Sequence, residues 1–138
     1  MSFFERYELN WFIGWWLLGC GWIILVWYLS LSTIPPKIDT GSYFSDKIGH
    51  FIAYAWLMFW FGNLYKDYRA RLFFAGVFVL MGIGLEILQG MGQVRQFEYY
   101  DILANSAGVL ISFILLFTSM ARLFSWIEHF FKKEYDET

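Results

Sequence analysis

One cysteine and two prolines are all that 138 residues offer of either type. A lone thiol forms no internal disulfide and leaves the redox compartment open. Set in an apolar run, Cys20 reads as a small buried hydrophobe. Charge is scarce as well. Asp, Glu, Lys and Arg together make 16% of the chain, and a net charge of −2 gives no basic surface for nucleic acid. There is no internal repeat, no low-complexity tract, no HExxH, no P-loop and no Ser-centred motif. A cleavable signal is not expected either. The first residues, MSFFERYELN, carry Glu and Arg in place of a basic n-region. The apolar run behind them is too long for an h-region, and no small-x-small site ends it.

What is abundant is apolar and aromatic. Hydrophobic residues make 59% of the chain, with 8 Trp, 9 Tyr and 16 Phe. One soluble core of this size does not hide so many large apolar groups. The expected class is therefore an all-α integral membrane protein, a single domain over residues 1–138. Four spans are expected, with a short amphipathic helix at the C-terminus. The first, residues 11–31, holds no charge, and at 1.5 Å per residue its length of about 31 Å matches a hydrocarbon core of roughly 30 Å. The others are expected near 48–65, 72–92 and 102–120. Pro35-Pro36 breaks the chain between the first two. Trp11, Trp15, Trp16, Trp27, Tyr28, Trp56 and Trp60 suit interfacial belts or packing between helices. In the tail, Leu123, Phe124, Ile127, Phe130 and Phe131 recur at helical spacing between charges, as in a helix lying at the interface. His129 falls on its solvated face.

Basic residues set the orientation. Arg6, Lys66, Arg69, Arg71, Arg122, Lys132 and Lys133 fall on one side, against Lys37, Lys47 and Arg95 on the other, seven to three. The positive-inside rule then puts both termini in the cytoplasm and the loops 32–47 and 93–101 outside.

That orientation brings the polar residues to one depth. Asp46 and His50 are four apart at the outer end of the second span, with Tyr54 one turn on. Gly82, Glu86, Gln89 and Gln93 step by four, three and four along the third; Asp101, Asn105, Gly108 and Ser112 repeat the pattern on the fourth. Ala104, Gly108 and Ser112 make a small-xxx-small face for close packing. The first span has no such stripe and reads as scaffold. For Gln89, Gln93, Ser112 and Tyr54, packing glue worth about 0.6 kcal/mol each explains as much as function does. Asp46 and Lys47 at a helix end can also simply snorkel to the interface. Glu86 is different, because a carboxylate at that depth must be protonated, paired or open to water.

The stretches DKIGHFIAY, EILQ and RQFEYYDILANSAG resemble the motifs of the VanZ-like family of bacterial membrane proteins. The family pattern runs D-K-x-x-H-F, then E-x-x-Q, then R-x-x-D-x-x-D-x-x-x-N-x-x-G. The matching positions are Asp46, Lys47, His50, Phe51, Glu86, Gln89, Arg95, Glu98, Asp101, Asn105 and Gly108, within about residues 30–120. Glu98 departs from the pattern, which has Asp there; the charge is kept on a longer arm. The resemblance implies a multi-pass cell-envelope protein of the bacterial cytoplasmic membrane. The family's founding member is associated with low-level resistance to the glycopeptide teicoplanin. No settled reaction, catalytic residue or cofactor comes with the resemblance.

Together these readings give a candidate site of Asp46, Lys47, His50, Glu86, Gln89, Arg95, Glu98, Asp101 and Asn105. Three function classes follow. An outward site can hold a lipid head group, a cell-wall precursor or a lipophilic glycopeptide, with Arg95 and Lys47 for anionic groups and the carboxylates for amines. An intramembrane enzyme can use His50, Glu86 and Asp101 to hold a metal, or a His–carboxylate pair as acid and base. A proton-linked transporter can use Glu86 as carrier, and with four spans it would have to form an oligomer.

Overall fold

A computed structural model describes residues 4–32, 44–92 and 97–136. The Pro35-Pro36 turn, Lys37, Gln93 and Arg95 lie outside them. The described chain is all-helical: α1 (Phe12–Leu31), α2 (Phe44–Gly62), α3 (Tyr68–Met91), α4 (Tyr99–Leu115), a 3-10 turn (Ser119–Arg122) and α5 (Leu123–Asp136). By length and apolar composition, α1 and α3 can each cross a membrane. The segments Tyr99–Leu115 and Ser119–Lys133 count as a third span only if taken together, and they are bent by 81° to one another.

The elements follow from local chemistry. α1 is apolar on every face, and large side chains stay outside: Ile13 is 73% exposed and Ile24 69%. Such a surface calls for lipid or another apolar partner, not water. α3 starts where Asp67 caps it, its carboxylate accepting from Arg69 N at 2.9 Å. α2 begins at Phe44, earlier than the expected start near 48, so Asp46, Lys47 and His50 stand in its first two turns. The fourth helix stops at Leu115 rather than continuing to about Met120. No Pro or Gly marks that stop. Thr118 makes it instead, its hydroxyl accepting from Met120 N at 3.3 Å and so starting the 3-10 turn.

α2 is the centre of the fold. Its Tyr54, Leu57, Met58 and Phe61, and Leu64 in the turn after it, are buried in one core with Phe78 of α3, Val109 of α4 and Leu116 just beyond α4. Its most extensive partner is α4. Gly108 permits that approach: a Cβ there would collide with the Phe51 carbonyl oxygen and sit 2.9 Å from Ala55 N. Ser112 then reaches across, donating from Oγ to Ala55 O at 2.7 Å. Gly108 and Ser112 thus form the close-packing face expected of them. Between α1 and α2 the aromatics pack together: Trp15 lies 5.8 Å from Trp60, and Trp22 5.9 Å from Trp56.

Three segments share one end of the molecule. Tyr7 N donates to Leu64 O at 3.0 Å and Lys66 N to Glu5 O at 2.8 Å, joining the N-terminal segment to the α2–α3 turn. From α5, the Glu128 carboxylate accepts from Asn10 N at 2.7 Å and Trp11 N at 3.1 Å, covering the start of α1. Arg71 binds this end together from within. It is only 5% exposed. Its Nε donates to Gly62 O and Tyr65 O, Nη1 to Leu116 O at 2.6 Å and Nη2 to the Tyr7 hydroxyl at 3.2 Å. A guanidinium thus serves the carbonyl ends of α2 and α4, where the helix dipoles favour a cation. Asn63 does the matching task for α5, accepting from Leu123 N at 3.0 Å.

Candidate functional site

The polar cluster lies at the other end. α2 presents Asp46, Lys47 and His50 from consecutive turns, because positions i, i+1 and i+4 straddle one helix face. α4 presents Asp101 and Asn105, and α3 presents Glu86; each of these three is 2% exposed. Lys47 Nζ donates to Asp101 Oδ1 at 2.5 Å and also pairs with Glu98. The other Asp101 oxygen, Oδ2, lies 3.4 Å from His50 Nε2. Glu86 Oε1 accepts from the backbone N of Glu98 at 2.7 Å, which ties the residue before α4 to α3. Of His50, Glu86 and Asp101, expected to converge from three helices, His50 and Asp101 meet directly, and Glu86 joins the start of α4 at the same end.

The three stripes meet at Gly82. A Cβ there would stand 3.1 Å from Asn105 Nδ2 and 3.3 Å from Tyr54 Cε1, so α3, α4 and α2 each bring one stripe residue to that point. Glycine leaves room where two polar side chains pass.

Gln89 is engaged toward α1. Its Nε2 donates to Ser30 O at 2.5 Å, satisfying a carbonyl in the last turn of α1. That is the glue its residue type suggested. Arg95 falls outside the described residues. Tyr54, on the α2 stripe but not among the nine candidates, belongs spatially with them; its spacing of four from His50 is the signal that places it there. Arg71 and Asn63 carry no such signal, since a buried cation and an exposed one look alike in a short basic loop.

Several polar atoms here are buried and have no hydrogen-bond partner among the described residues: Glu86 Oε2, Asn105 Oδ1 and the Tyr54 hydroxyl. Each such group costs about 1–3 kcal/mol if it stays unsatisfied. Asp46, His50 and Asp101 each offer a ligand atom, all within 4.8 Å of one another, so this is also where a cation can be held. The cluster combines one ammonium, four carboxylates and an imidazole at the edge of an apolar bundle. It can therefore bind a polar group while excluding bulk water, and the imidazole beside a carboxylate can move a proton.

Compared with protein-family models, curated proteins and solved structures, the chain matches none.

Proposed function

We propose that this is a four-span protein of the bacterial cytoplasmic membrane, with both termini cytoplasmic, whose outward end binds the polar head of an envelope amphiphile. The amphiphile classes are a lipid head group, a cell-wall precursor or a lipophilic glycopeptide, as the likeness of its motifs to the VanZ-like family implies. The observation that carries this reading is the set of Glu86 Oε2, Asn105 Oδ1 and the Tyr54 hydroxyl, buried and without a hydrogen-bond partner among the described residues, beside the Lys47–Asp101–Glu98 ion pairs. Two of those atoms only accept, so the ligand supplies N–H or O–H donors, as amines, sugars and peptide amides do.

The four-span count is supported by the lengths of α2 and α4, 19 and 17 residues. Both keep their charged side chains at the site end and carry no Asp, Glu, Lys or Arg beyond it. The bend before α5 supports an interfacial helix rather than a continued span. The orientation is supported by basic residues: the N-terminal segment, the α2–α3 turn with the first turn of α3, and the chain after α4 carry seven of them, and these segments join at one end.

Glu86→Gln tests the reading. Gln keeps the acceptor for Glu98 N but puts an NH2 where Oε2 stands and removes the charge. Membrane insertion, checked by blot, is expected to persist, and protection against graded doses of a lipophilic glycopeptide is expected to vanish. Gln89→Ala is the milder control. Full protection from the Glu86→Gln variant would reduce the cluster to packing glue.

A further inference from the structure

We propose that Asp46, His50 and Asp101 form a binding site for a divalent ion of the zinc class. The three offer one imidazole nitrogen and two carboxylate oxygens, all within 4.8 Å of one another. The His50 Nε2 to Asp101 Oδ2 separation of 3.4 Å is long for a hydrogen bond between these groups. It is close to the spacing of two ligands on one tetrahedral ion, about 3.3 Å for bonds of 2.0–2.1 Å. A donor set of one nitrogen and two oxygens suits zinc better than calcium or magnesium, which favour all-oxygen shells.

The framework is prepared for it. Asp46 and His50 are one turn apart on α2, so their spacing is set by the helix. Asp101 comes from α4, the helix that Gly108 brings closest to α2. Lys47 holds the Oδ1 of Asp101 at 2.5 Å, leaving Oδ2 turned to His50, as an outer partner does for a ligating carboxylate. A second, independent observation points the same way. Glu86, 2% exposed, keeps Oε2 buried without a hydrogen-bond partner among the described residues, while its Oε1 accepts from the backbone N of Glu98 at the start of α4. That oxygen is an acceptor for a water carried by the ion. Among the described residues the cluster holds four carboxylates and one ammonium, which pairs with Glu98 and Asp101, so a dication reduces the imbalance of charge. With three protein ligands such an ion keeps a position for water or for an oxygen of a bound head group.

The site is the one assigned above to an amphiphile, but the metal is tested without it. The full chain, purified without an affinity tag in nanodiscs and stripped by chelator, is titrated with Zn2+ by calorimetry and its metal content counted by mass spectrometry. One ion per chain is expected, with Ca2+ and Mg2+ not competing. His50→Ala and Asp101→Asn should each weaken binding roughly tenfold or more, while His129→Ala, which removes the chain's other imidazole, leaves it unchanged. Co2+ added to the unaltered chain should give the strong visible bands of a four-coordinate site, a readout that needs no variant to fold. Absence of stoichiometric Zn2+, a weak octahedral Co2+ spectrum, or binding lost with His129 and kept without His50 would overturn the proposal. Zn2+ binding beside a silent Glu86→Gln phenotype would sink the amphiphile reading and leave the metal site standing.

Discussion

Arg71→Met should unlock the end of the molecule opposite the polar cluster. The guanidinium is 5% exposed and donates to three carbonyl oxygens and one hydroxyl. Its two Nε contacts share one hydrogen and count as a single bond. Each remaining hydrogen bond from a charged donor is worth about 1.5–3 kcal/mol, and a buried acceptor left bare costs about 1–3 kcal/mol. These contributions overlap, and at the bundle end water can reach some carbonyls. The net loss is then about 3–5 kcal/mol, the range seen when one partner of a buried ionic contact is removed. At roughly 2–4 °C per kcal/mol the melting temperature should fall by about 10 °C. The assay uses the chain's own chemistry. Cys20 is the single thiol and sits partly buried on α1, so a thiol-reactive dye reports when the bundle opens. Arg71→Lys keeps the charge but not the fork, and should fall in between. Arg69 and Arg122 are exposed, and their Met variants should melt with the wild type. An Arg71→Met protein that melts no lower than Arg69→Met would refute the claim that this cation clamps two helix ends.

Gly108→Ala should destabilise by about 1–3 kcal/mol, because its methyl meets backbone rather than a flexible side chain. Ser112→Ala should cost only about 0.6 kcal/mol in the same melt, and equal effects would deny the close α2–α4 approach. For orientation, a cysteine placed at Thr40 in a Cys20→Ala background should react with an impermeant maleimide only from outside; labelling from the cytoplasmic side would invert the topology.

How much of this was legible beforehand differs residue by residue. Helical class and the run of α1 follow from composition, because an uncharged stretch of that length has few other stable states in a bilayer. The convergence of His50, Glu86 and Asp101 was legible too. Stripe spacing puts residues on one helix face, and alternating direction of the helices sets their depth. The α4 stripe of Asp101, Asn105, Gly108 and Ser112 is buried along its length, as that spacing implied. The stop of α4 at Leu115 was not legible, since it depends on a Thr118 side chain competing with the helix, and the same residue type is tolerated inside many helices.

Periodicity names the residues that share a face but not the neighbour that face will meet. Sequence alone therefore determined the class, the stripes and their common end. Tertiary structure decided that Gln89 reaches Ser30 of α1, that Tyr54 joins the site, and that Arg71 turns inward. The physical reason is the same in each case. A polar side chain in an apolar bundle goes to whichever unsatisfied partner the packing brings within about 3 Å. For Gln89 and Arg71 that partner is a backbone carbonyl at a helix end, a group every residue carries and no sequence pattern marks.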